Sequence, residues 1–91
     1  MNFRITRHSG FRAPENAIDL LWERLNGRYE GVSFAKGSDD IRARWGDDAP
    51  VSMERHEREE MGRTTVLEIV RGACEGSPDL KSDWFAVSVY R

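Results

Sequence analysis

The sequence predicts an α+β fold, a two-layer sandwich of one four-stranded antiparallel sheet with two helices on one face. Three observations lead there. Four short runs alternate apolar and polar residues, the period of a strand buried on one side. Two other stretches repeat apolar residues at the spacing of an amphipathic helix. These runs follow one another as strand, helix, strand, strand, helix, strand and fill nearly all of the 91 residues, so one domain over 1–91 is expected.

In the first strand, Phe3, Ile5 and Arg7 alternate with Arg4, Thr6 and His8, and Gly10 and Pro14 close the run. Pro14 suits the first turn of a helix, where its missing N–H is not needed, and Glu15 complements the positive helix terminus. Ala17, Ile18, Leu21, Trp22 and Leu25 then share one helical face, with Asn26-Gly27 as the stop. Val32 and Phe34 alternate with Ser33 and Ala35, and Ile41, Ala43 and Trp45 alternate with Arg42 and Arg44. The turn Lys36-Gly37-Ser38-Asp39 joins these two runs into a hairpin.

Residues 46–63 carry weaker signals. Gly46-Asp47-Asp48-Ala49-Pro50 reads as a loop, and Ser52 is a candidate cap for a helix through Met53–Met61, without a capping box because Arg55 follows three positions on. Beyond Gly62, the β-branched run Thr64–Val70 suits a strand, yet Val66, Ile69, Val70, Ala73 and Cys74 fit the helical template. The charges there do not alternate as a half-buried strand requires, so residues 66–74 are expected to be helical. Gly76-Ser77-Pro78 ends that helix. In the last strand Phe85, Val87 and Val89 face one way, and Trp84, Ala86, Ser88 and Tyr90 the other. The order resembles the split β-α-β arrangement of ferredoxin-like sandwiches, which implies that the first and third strands are central.

Composition narrows the class. Hydrophobic residues at 38% and charged residues at 33% describe a charge-rich chain that still holds enough large apolar side chains to fold. Cys74 is the single cysteine, so no internal disulfide forms, and a cytoplasmic location is the simplest expectation. The amino-terminal residues lack an apolar signal-like run, and no stretch reaches the ~18 apolar residues of a membrane span. Residues 1–46 hold eight Arg and Lys against six Asp and Glu, and residues 47–91 six against ten. Neither half has the strongly basic footprint of a typical nucleic-acid binder.

Motifs for catalysis are absent. The glycines form neither a P-loop nor a dinucleotide fingerprint, and the serines lie in no nucleophile elbow. Cys74 falls in the apolar stripe, where a free cysteine acts as a small buried hydrophobe. His56 shares a helix face with Glu59 or Glu60, but a metal site needs a third ligand, and neither His8 nor Cys74 stands in a sequence relation that supplies it. The run from Arg55 to Glu60 reads instead as a solvated face with i, i+4 ion pairs. Asp39-Asp40 and Asp47-Asp48 read as turn acids, with a carboxylate-only Mg²⁺ site as the minor alternative. No metal and no cofactor is expected.

Period two sharpens one constellation. If Phe3, Ile5, Val32, Phe34, Ile41, Ala43, Phe85, Val87 and Val89 face the helices, the opposite face carries Arg4, Thr6, His8, Ser33, Ala35, Arg42, Arg44, Trp84, Ala86, Ser88 and Tyr90. The candidate binding residues are Arg4, Thr6, Arg42, Arg44, Trp84 and Tyr90. Arginines with two aromatics resemble an RNA-recognition platform in outline, although that family sets stacking aromatics on the central strands, where this chain has Arg and Thr. The plainer alternatives are an ordinary open face whose arginines pair with local acids, or one covered by a second copy; Arg and aromatics are also what protein interfaces enrich. The expectation is a small non-enzymatic binding or regulatory module whose open face meets a protein partner or a second copy, as in a homodimer. The alternative is a binder of nucleic acid or another anionic ligand through Arg4, Arg42 and Arg44. A small enzyme using His8 or His56 ranks third.

Overall fold

The computed structural model describes residues 1–25, 29, 31–46 and 53–90. Its elements run in the expected order: β1 (Asn2–Arg7), α1 (Ala17–Arg24), β2 (Val32–Lys36), β3 (Ile41–Trp45), α2 (Arg55–Glu75) and β4 (Phe85–Val89). The four strands form one sheet in the order β2-β3-β1-β4, and every neighbouring pair is antiparallel. This is an α+β ferredoxin-like sandwich, with β1 and β3 in the centre. No helix among the described residues is long and apolar enough to cross a membrane.

Alternation decides which side of the sheet is covered. Phe3, Ile5, Ile41, Ala43, Trp45, Phe85 and Val87 are buried between the sheet and the helices. From above, α1 contributes Ala17, Ile18 and Leu21, with Leu25 just past its end, and α2 contributes Val66, Val70 and Cys74. No side-chain cap bond starts α1; the Ala17 N–H donates to the Pro14 carbonyl at 3.0 Å and the Leu20 N–H to the Asn16 carbonyl at 3.0 Å. Leu80 closes the core after α2, on a turn in which the Ser77 hydroxyl donates to the Ala73 carbonyl at 3.2 Å.

Three expectations change. Residues 66–74 are helical, but α2 is one continuous helix of 21 residues that runs through Gly62 instead of stopping there. Gly62 is buried because α2 presses its backbone onto the sheet: a Cβ at this position would lie 2.5 Å from Phe3 Cζ and 2.9 Å from Trp45 Cε3. Phe34, expected in the core, is only half-buried, because β2 is an edge strand; its ring packs edge-on against Tyr29, 5.6 Å between centroids. Trp84 falls in a one-turn 3-10 helix (Ser82–Trp84) just before β4 and leans, half-buried, on the core cluster. The expected stop at Asn26-Gly27, the loop over 47–50 and the cap at Ser52 lie outside the described residues.

Candidate functional site

The sheet face away from the helices is built from the alternate positions of the same strands. It carries Asn2, Arg4 and Thr6 from β1, Arg42 and Arg44 from β3, Ser33 and Ala35 from β2, and Ala86 and Ser88 from β4. Register brings the arginines together: Arg4 stands opposite Arg42, and Asn2 opposite Arg44. Two like charges directly opposed across a ladder repel. Asp40 relieves this, its carboxylate accepting from Arg4 Nε at 2.6 Å and lying 3.8 Å from Arg42 Nε.

Asp40 is held by the turn that precedes β3. The Gly37 N–H donates to its carbonyl at 2.9 Å, and Gly37 itself has no side chain to displace the carboxylate. Only 5% of Asp40 is exposed, whereas Arg4 and Arg42 extend into solvent from above it. The Arg42 guanidinium also lies 4.6 Å over the centre of the Tyr90 ring, a cation–π contact. Arg44 makes no ion pair with any described residue and lies beside Ser33, its partner in the ladder. A shallow depression of about 210 Å³ opens there, lined by Asn2, Ser33, Ala35, Arg42 and Arg44.

Among the six sequence-predicted residues, Arg4, Thr6, Arg42, Arg44 and Tyr90 therefore share this side, Tyr90 lying just beyond β4 with its N–H bonded to the Asn2 carbonyl at 2.9 Å. Thr6 is half-buried at the far end of β1, opposite Ala86. Trp84 stays with the core and is no exposed anchor. Sequence reasoning missed Asp40, which it took for a turn acid; the signal was its place directly before Ile41, within reach of Arg4 once β1 and β3 pair.

The other candidates are structurally ordinary. His8 Nδ1 accepts the Gly10 N–H at 3.0 Å, and its ring meets Phe11. His56 sits exposed near the start of α2, 3.3 Å from Glu54, and together with Glu57 forms a loose, fully exposed cluster. Glu59, its side chain only 15% exposed, pairs with Arg55 at 3.2 Å, and exposed Glu60 pairs with Arg63 at 3.5 Å, so the i, i+4 and i, i+3 pairs form but the expected solvated face holds for Glu60 and not for Glu59. Burial pushes the Cys74 thiol up from its ordinary value, away from nucleophilic reactivity. Comparison of the chain with protein-family models, curated proteins and solved structures finds no match.

Proposed function

We propose that the protein is a non-enzymatic binding module whose open sheet face receives an acidic segment of a protein partner. The observation that carries this reading is the side-by-side placement of Arg4, Arg42 and Arg44 on the two central strands, with one carboxylate among them, already engaged by Arg4. The neighbours are small (Ser33, Ala35, Ala86, Ser88), and Arg44, which has no ion pair with a described residue, is placed for bidentate pairing with an incoming carboxylate beside Arg4 and Arg42. A second copy docking face to face about a two-fold axis would set arginines against arginines, which favours a different protein over self-association. Stacking of nucleobases has little support, because the central strands carry no aromatics on this side and Tyr90 is occupied by Arg42. The net charge of −2 also weakens long-range attraction to a polyphosphate.

A fluorescently labelled Glu/Asp-rich peptide, titrated into the full chain and followed by anisotropy, tests this. Binding should weaken at least tenfold in the double variant Arg42→Glu, Arg44→Glu, since two favourable charge contacts become repulsive. Backbone shifts should concentrate on β1 and β3. Unchanged binding by the folded double variant would remove the face from the reading. Tighter binding of a single-stranded RNA of equal charge would replace the acidic protein with nucleic acid.

A further inference from the structure

Past β1 the chain turns sharply before α1, and the turn is pinned to the sheet. The His8 N–H donates to the Trp84 carbonyl at 2.7 Å, the Phe11 N–H donates to the His8 carbonyl at 3.3 Å, and the rings of His8 and Phe11 meet edge-on at 4.8 Å. Between this turn and the start of β3 lies a cavity of about 360 Å³. Three arginines line it, Arg4, Arg7 and Arg12, together with Thr6, Ser9 and Ala13; Asp39 is the one acidic residue in the described lining. His8 lines it as well, and because its Nδ1 accepts the Gly10 N–H, Nε2 is the nitrogen left to donate.

The cationic groups are only loosely committed. Arg7 reaches Asp39 at 3.5 Å across an exposed pair, and Arg12 has no ion pair with a described residue. Arg4 alone is firmly held, by Asp40. Arg12 also sits at φ 37°, a left-handed conformation that an arginine rarely adopts, so the fold accepts local strain at the wall of this cavity.

We propose that the cavity binds the phosphate group of a small phosphorylated molecule. Three arginines and two hydroxyl-bearing residues around one cavity suit a tetrahedral dianion with several acceptor oxygens, and Arg recognises such oxygens bidentately. The volume, at the small end of the ~300–1,000 Å³ of ligand pockets, leaves room beyond the phosphate for a sugar-sized body. This inference goes beyond the sheet-face reading and tests independently of it, because Arg7 and Arg12 are not part of the Arg42–Arg44 surface.

The test is a ¹⁵N–¹H titration of the full chain with ribose 5-phosphate, inorganic phosphate, sulfate and unphosphorylated ribose at low, constant ionic strength. Saturable shifts are expected at the amides of residues 6–13 with ribose 5-phosphate, and none with ribose. The double variant Arg7→Gln, Arg12→Gln should keep a dispersed, folded spectrum and bind at least tenfold more weakly, as loss of two charge-assisted contacts implies. Tighter binding of ribose 5-phosphate than of inorganic phosphate would identify an organic phosphomonoester as the ligand, and the reverse order free phosphate. An equal response to sulfate, no saturation at millimolar ligand, or unchanged affinity in the folded variant would overturn the site.

Discussion

Asp40 and Arg4 form an unequal pair. The Asp40 side chain is 7% exposed and that of Arg4 47%, so each loses something different when its partner is removed. Arg4→Ala leaves a buried carboxylate with only the more distant Arg42, and should cost about 1–3 kcal/mol, the penalty for a buried polar group deprived of its partner. Asp40→Asn leaves Arg4 hydrated and should cost less than ~1 kcal/mol, the range of exposed pairs. Urea denaturation of both variants measures this; equal losses would show that burial of the carboxylate does not govern the pair. None of this was legible in Asp39-Asp40 read as turn residues, because burial depends on β3 lying beside β1. The alternation that sends Arg4, Arg42 and Arg44 to one side was legible, since successive strand residues must point to opposite faces.

At the scale of an element, α2 shows where local signals mislead. A mid-helix glycine usually weakens a helix by about 1 kcal/mol relative to alanine, which is why Gly62 reads as an end. In the folded chain it begins the buried stripe Gly62, Val66, Val70 and Cys74, and its missing side chain lets the helix approach Phe3 and Trp45. Gly72 lies on the same helix with nothing within 4 Å of a Cβ built there. Two identical substitutions should therefore act in opposite directions. Gly72→Ala should stabilise by about 0.5–1 kcal/mol through helix propensity. Gly62→Ala should destabilise, because forcing a methyl into rigid aromatic rings costs about 1–3 kcal/mol and outweighs the propensity gain. Thermal and denaturant unfolding read both signs, and a stabilised Gly62→Ala variant would mean that α2 can lift from the sheet at little cost. The helical character of residues 66–74 was readable from apolar spacing, whereas the union of both halves of α2 was not, since only the sheet beneath gives Gly62 its use.

For the whole molecule, position in the sheet grades how much each apolar residue contributes. Leu21 is fully buried under the centre of the sheet, while Phe34 lies half-buried on the edge strand. Leu21→Ala should cost about 2–5 kcal/mol, a large share of a small domain's stability. Phe34→Ala should fall below the ~3–5 kcal/mol typical of a core phenylalanine, and below Leu21→Ala when both are measured by denaturant unfolding; the opposite ranking would place the edge of the core at β2. The same geometry gives the functional candidates their places: central strands hold the arginine face, and the end of β1 with its following turn holds the basic cavity. The amino-acid sequence by itself determined the element order, the sheet's covered and open faces and most of the core, because periods of two and 3.6 are local consequences of backbone geometry. Only the tertiary structure decided that Asp40 is buried between arginines, that Gly62 is a point of close approach, that Trp84 joins the core, and that Arg7 and Arg12 share a cavity with Arg4. These depend on which distant segments are neighbours, and strand pairing and helix docking create that information.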